Sequence, residues 1–312
     1  MLRFIFVRLA IAFPTILGMS FAAFAIVAIA PGDPVMMELR ALGIVPTPED
    51  IDALRAEFGL DQPFLIRYLN WLARAVQFDF GTSIATGRTV AAEIALCLPA
   101  TLTLAASALV GAVLVSLVFG ILALSSNRWI ALAIRGLTIL LVSVPSFWLA
   151  LLLIYVFVLG FGWGRLVGDG STSDLILPAL TLSLGAGASL GRVVFERIQA
   201  DMSEDHIRLA IAKGLSPAHI LTSHIAPRII GPLATAWANT FGALLGGVVI
   251  IESVFGWPGL GQLILQAIAQ RDFPVIQAYL VFMGLIFFTT SIFADIIVFF
   301  SDPQLRRTLA DD

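Results

Sequence analysis

The sequence predicts an all-α integral membrane protein with about six transmembrane helices. Three observations carry that prediction. Of the 312 residues, 59% are hydrophobic and only 12% are charged, whereas soluble chains carry roughly a quarter charged residues. The apolar residues gather in windows long enough to cross a hydrocarbon core. The polar segments between those windows distribute Arg and Lys unevenly, which distinguishes two sides. A soluble chain this apolar would expose patches large enough to aggregate. The net charge of −3 leaves no polybasic surface for nucleic acid.

The spans follow in order. Arg3 and Arg8 precede the first apolar run, Leu9–Ala30. Its end, Ala28-Ile29-Ala30, resembles a signal-peptide cleavage site, but the run is too long for a signal core of about 7–15 residues. It is expected to remain as a membrane helix. The next windows are Leu98–Leu124, Ile134–Phe161, Leu175–Val194, Pro232–Phe255 and Gln277–Phe300. Arg128, Arg135, Arg192, Arg197, Arg208, Lys213, Arg228, Arg306 and Arg307 fall on the side of Arg3 and Arg8, so both termini are expected in the cytoplasm. The outside arginines are mostly spread through one long segment, where the rule has little weight. Pro14, Pro99, Pro145 and Pro178 interrupt spans, and Gly187/Gly191 and Gly242/Gly246 offer small-residue faces for helix packing.

Three polar segments lie between spans. Residues 31–96 form a long external segment. Within it Asp50–Leu60 has a helical pattern, and Trp71, Phe78 and Phe80 suggest a lid resting at the membrane surface. Residues 256–276 contain an amphipathic run, Leu263–Ala269, read as a re-entrant or interfacial piece. Residues 196–231 form the internal segment, and it is the most strongly punctuated. Ser203 is expected to cap a helix whose first turn holds Glu204 and Asp205. Gly214 is placed as the left-handed residue that ends this helix near Lys213. Ser216 and Pro217 then restart a helix as N-cap and first residue. That second helix is expected to stop near Ala226, limited by Pro227 and Pro232. A rigid helix-turn-helix between two spans, on the side rich in Arg, suits docking to a cytosolic partner better than contact with DNA.

These residues resemble a known family. The stretch Glu204–Ser216 is similar to the EAA loop of binding-protein-dependent ABC importer permeases. Arg208, Leu209 and Ala210 stand at the Glu-Ala-Ala positions and Gly214 at the closing glycine. Arginine in place of the glutamate resembles the dipeptide/oligopeptide subfamily. Further along the chain, Ala30-Pro31-Gly32-Asp33-Pro34, Leu60-Asp61-Gln62-Pro63, Asp79-Phe80-Gly81 with Ser83, Glu252–Gly261, Arg271-Asp272-Phe273-Pro274 and Asp302–Arg306 resemble the B-type permeases of that subfamily in the expected order.

The resemblance implies a type I importer permease fold in a bacterial or archaeal cytoplasmic membrane. It implies a homologous second permease, two cytosolic ABC ATPase subunits that use ATP and Mg, and an external substrate-binding protein. The cargo would be di- or oligopeptides, with nickel, sugars or opines as relatives' alternatives. The implied organisation is a first helix with external segment over 1–95, a transmembrane domain over 96–303 and a tail over 304–312. Residues 41–61 and 162–174 are candidates to meet the binding protein. The expected ATPase-coupling residues are Arg208, Leu209, Ala210, Lys213, Gly214, Leu215 and Ser216. Ala210 would keep the docking face small, Leu215 would anchor it, and Lys213 would meet an acid.

The residues themselves agree with a passive subunit without a cofactor of its own. The single lysine, Lys213, is followed by Gly214 and not by Ser or Thr, so no GxxxxGK[ST] phosphate loop exists. Cys97 is the only cysteine, and His206, His219 and His224 fit no HExxH spacing, which leaves no predicted metal site. No enzyme constellation is present. Glu252 and Asp295 lie near span ends as pathway or structural acids. A proton-coupled carrier would place such groups nearer the midplane, so an ion-coupled secondary transporter is the weaker alternative, and a membrane scaffold weaker still.

Overall fold

The computed structural model describes residues 2–29, 35, 36, 39, 47–57, 60–163, 165 and 171–301. Twelve α-helices account for nearly all of it: α1 (Leu2–Ile29), α2 (Pro48–Glu57), α3 (Phe64–Ala75), α4 (Val90–Leu122), α5 (Arg128–Ser143), α6 (Ser146–Leu153), α7 (Thr172–Met202), α8 (Asp205–Ala212), α9 (Pro217–His219), α10 (Ala226–Phe255), α11 (Leu260–Gln270) and α12 (Phe273–Ser301). Wide π turns extend α6 through Ile154–Gly160 and join α9 to α10 through Ile220–Ile225. Among the described residues, β pairing is limited to one isolated bridge, Thr82 with Thr89. The motifs at residues 30–34 and 302–306, the tail over 304–312, and parts of 41–61 and 162–174 lie outside the described residues.

Among the described residues, five helical stretches are long and apolar enough to cross a membrane, and a bent pair makes up to six. The bent pair corrects the third expected span, Ile134–Phe161. It is two helices, α5 and α6, meeting at 109°. Pro145 has no N–H to continue the helix and pushes Val144 to extended geometry, with ψ 127°. A second correction concerns Pro227 and Pro232, which do not end the helix that begins at Pro217. The chain stays helical to Phe255, with Pro227 in the first turn after the π segment and Pro232 inside α10. The change of helical register in the π turns already alters which backbone donors are used, so a proline just beyond them costs little.

The chain divides into two compact units: residues 1–99 with 259–288, and residues 100–258 with 289–312. In the first, α3 packs across α1. The Tyr68 and Ser20 hydroxyls meet at 2.8 Å, and Phe21 and Phe24 pack edge-on against Phe64 and Tyr68. Trp71 and Phe80 are buried while Phe78 is exposed, so of these three aromatic residues only Phe78 faces outward. Phe80 packs on Phe282, with ring centroids 5.1 Å apart. Buried Asp272 accepts from the Ser83 hydroxyl and from the Ala85 and Val275 amides. Buried Glu93 accepts from the Thr86 hydroxyl at 2.7 Å and pairs with Arg88 at 3.0 Å. Both buried carboxylates are thereby compensated, as buried acids must be.

In the second unit α4 and α7 approach closely along small residues. A Cβ on Gly187 would lie 2.6 Å from the Val115 Cβ and 2.9 Å from the Ala112 carbonyl oxygen. One on Gly191 would lie 2.9 Å from the Phe119 Cβ. The Ser183 hydroxyl donates across the same contact to the Ala108 carbonyl at 3.1 Å. This is the small-residue packing by which helices associate where no hydrophobic gain is available. Leu141, Leu149, Leu153 and Ala188 form a core between α5, α6 and α7.

Candidate coupling site

The site is the internal segment, and its structure begins with how α7 stops. Ser203 ends α7, and its hydroxyl donates back to the Ala200 carbonyl at 2.6 Å. Ser203 is therefore not the N-cap of the next helix. Glu204 occupies that position, with extended geometry and no side-chain cap bond, because Ser203 keeps helical geometry, φ −83° and ψ −10°, as the end of α7. Helix α8 runs to Ala212. Gly214 then adopts φ 76°. Its amide donates to the Ile211 carbonyl at 2.9 Å, and the Leu215 amide donates to the Ala210 carbonyl at 3.3 Å. That is the left-handed termination that glycine permits at least cost. Ser216 caps the restart, accepting from the His219 amide at 3.3 Å, with Pro217 at the first position.

Beneath this turn sits a separate hydrophobic core. Ile207 and Ala210 of α8 are buried against Val194 and Ile198 of α7, Ile220 and Ile225 of the π segment, and Ile229 and Leu233 of α10. Leu215 packs on the same core. Ala210 and Leu215, expected at the docking face, both pack on the segment's own core, Ala210 buried and Leu215 half-buried. Helical periodicity explains this, since Ile207 and Ala210 are three apart and share a face. Arg208, Leu209, Ile211, Ala212, Lys213, Gly214 and Ser216 are exposed. The outward face therefore carries two cations and two large apolar side chains, Leu209 at 55% and Ile211 at 52% exposure. Arg228 reaches across the base of the segment to Asp201 at 3.2 Å, joining the start of α10 to the end of α7.

The two acids near span ends sit differently. Glu252 is fully buried in the last turn of α10 and accepts from the Thr101 hydroxyl at 2.7 Å. One turn on, Gly256 at φ 62° ends α10, and the Trp257 indole N–H donates to the Ala100 carbonyl at 2.9 Å. Glu252 thus takes part in a tie between α10 and α4. Asp295 is half-buried within α12. Among the described residues no cluster of three or more His, Cys, Asp or Glu could hold a metal ion. Sequence reasoning missed a cavity of about 280 Å³ at the α5–α6 break, lined in part by Ser146, Thr181, Gly185, Thr240 and Gly247. Pro145 was its one sequence signal, because a broken helix leaves room beside the break.

The fold sets an ordered knob, residues 204–216, on the connection between two long apolar helices, α7 and α10. Solved structures with this fold include a methionine ABC transporter in an inward-facing conformation, with TM-score 0.58 and 19% identity over 67% of this chain and 96% of that one. An amino acid ABC transporter crystallised with histidines matches with TM-score 0.53 and 22% identity, over 66% of this chain and 92% of that one. Residues 112–307 match the binding-protein-dependent transport system inner membrane component, and residues 1–105 match the N-terminal part of such membrane components. This chain belongs to that family. It is a multi-pass permease subunit of an ABC importer and not an enzyme. A protein of Brucella abortus named as a peptide transport system permease is 34% identical over 96% of this chain and 97% of its own. The glutathione transport system permease protein of Escherichia coli is 35% identical over 98% of this chain and 99% of its own.

Proposed function

We propose that this chain forms half of a translocation pathway for di- or oligopeptides in a bacterial or archaeal cytoplasmic membrane, with both termini in the cytoplasm. A homologous second permease forms the other half, an external binding protein delivers the cargo, and two cytosolic ATPase subunits supply ATP and Mg chemistry. The peptide and glutathione names of the relatives support the cargo class. Residues 1–95 serve as first helix and external segment, 96–303 as the transport domain and 304–312 as a tail.

The observation that carries the coupling role is the knob itself. Arg208, Leu209 and Lys213 project from α8, while Ile207 and Ala210 seat α8 on a core shared with α7 and α10. Gly214 and Ser216 shape the turn, and Ala210 and Leu215 act by holding it. A push on α8 from an ATPase groove would travel into two membrane helices at once, because packed cores shift between discrete arrangements rather than deform. Glu252 serves as a structural acid in this reading, and Asp295 as a candidate for the pathway.

Affinity purification of the tagged, gently solubilised chain followed by mass spectrometry tests the assembly. Co-purification of a second permease with one or two P-loop ATPases is the expected result. A chain that emerges alone, under conditions that preserve related complexes, and still moves solute in ATP-free vesicles would overturn it in favour of an ion-coupled carrier.

A further inference from the structure

Helix α3 is not one of the membrane spans, yet its surface divides into three faces by helical periodicity. Phe64, Tyr68, Trp71 and Ala75 share the first, and Phe64, Tyr68 and Trp71 touch Phe21 or Phe24 of α1. Leu65, Leu69 and Val76 share the second, in the i, i+4, i+11 relation that aligns residues on a helix. Among the described residues nothing covers them: they are 59%, 53% and 74% exposed. Arg67, Asn70, Arg74 and Gln77 share the third. Within Phe64–Ala75 the only charges are the two arginines, which suit anionic headgroups.

Depth points the same way. The Tyr68 hydroxyl meets Ser20 and donates to the Leu17 carbonyl at 3.3 Å. Both residues lie inside the apolar stretch Ala10–Ile29 of α1. At 1.5 Å per residue Ser20 is about 13 Å along the axis before Ile29, so α3 crosses α1 below the level where α1 ends. At this crossing Leu17 and Phe21 of α1 are themselves exposed.

The end of α3 adds a third observation. Phe78 takes the left-handed conformation, φ 61°, and the Asp79 amide bonds back to the Arg74 carbonyl at 3.1 Å. Glycine is the usual residue at such a position. Here a phenylalanine occupies it, and the residue is 69% exposed. In water that residue would gain nothing for the strain, whereas a bilayer interface would take up the ring.

We infer that α3 is an interfacial helix whose Leu65–Leu69–Val76 stripe, with Phe78, is embedded in the acyl region of the leaflet holding the C-terminal half of α1. Arg67 and Arg74 meet its headgroups. The helix would hold the external segment in the membrane plane through lipid as well as through α1.

The test places an environment-sensitive fluorophore at Leu69→Cys and, separately, at Asn70→Cys on the polar face. It uses the full chain, purified with whatever partners it carries, in phosphatidylethanolamine–phosphatidylglycerol vesicles. The parent chain, whose single cysteine is Cys97, supplies the background to subtract. The inference expects the label at 69 to be quenched by doxyl-labelled acyl chains and shielded from aqueous iodide, with the label at 70 showing the reverse. Strong iodide quenching at 69 would overturn it, because the stripe would face water. Shielding from both quenchers would also overturn it, because a protein would cover the stripe. If Leu69→Cys yields no protein, Val76→Cys reports on the same face.

Discussion

Gly214 shows how much one residue can be asked to do. Its φ of 76° is the reason for glycine there, and not crowding, because an added Cβ would meet nothing within 4 Å. The cost of substitution is therefore in the backbone. A left-handed non-glycine residue costs about 1–2 kcal/mol, and asparagine tolerates the conformation better than β-branched residues do. Gly214→Val is expected to leave the assembled complex with ATPase activity but little import, while Gly214→Asn retains most of it. Solute imported per ATP hydrolysed in proteoliposomes measures the difference, and equal coupling ratios for the two variants would remove the turn from the mechanism. Gly214 was legible because glycine is the residue that left-handed helix ends favour. Arg271, at φ 55°, and Phe78 occupy the same kind of position with no residue-type signal to announce them. The inward orientation of Ala210 was equally hidden. A resemblance assigns a position in a motif, but only packing decides which way that position faces.

At the scale of elements, two glycine pairs that look alike in sequence have different structural settings. Gly187 and Gly191 sit against α4, whereas a Cβ on Gly246 would meet nothing within 4 Å in this chain. Gly187→Val is expected to force α4 and α7 apart, at about 1–3 kcal/mol for overpacking a tight contact. Gly246→Ala should be neutral. Thermal aggregation of the detergent-solubilised chain distinguishes them, and an unchanged midpoint for Gly187→Val would argue against the close α4–α7 contact. The broken third span teaches a related lesson. Hydropathy averages over a window, so it registered Ile134–Phe161 as one stretch, while the direction of the chain turns at the backbone of Val144 and Pro145. Amphipathicity, by contrast, was readable in α11, whose buried face is Leu260, Gly261, Ile264 and Ala267.

For the whole molecule, family membership and the internal knob lead to the same expectation about energy. Vesicles containing the reconstituted complex, with binding protein and peptide outside and ATP trapped where the ATPases sit, should accumulate peptide. Dissipating proton and sodium gradients should leave the initial rate unchanged, and removing ATP should abolish it. Uptake that follows an ion gradient without ATP would sink the importer mechanism for this chain. The sequence placed intramembrane acids near helix ends, and the structure gives Glu252 the company of Thr101 in the last turn of α10. A buried carboxylate hydrogen-bonded within one unit suits a structural tie.

What the amino-acid sequence determined by itself was the class of solvent, the helical fold, the principal spans and the glycine turn of the internal segment. These follow from local quantities: hydropathy summed over a window, and the few residue types that special backbone angles favour. What only the tertiary structure decided was the bend at Pro145, the continuous helix from Pro217 to Phe255, the inward faces of Ala210 and Leu215, and the uncovered stripe of α3. The first two turn on the local backbone at Val144–Pro145 and in the π turns, and the last two depend on residues distant in sequence meeting or failing to meet. No local pattern encodes those inward and uncovered faces, because a helix face is defined by what packs against it.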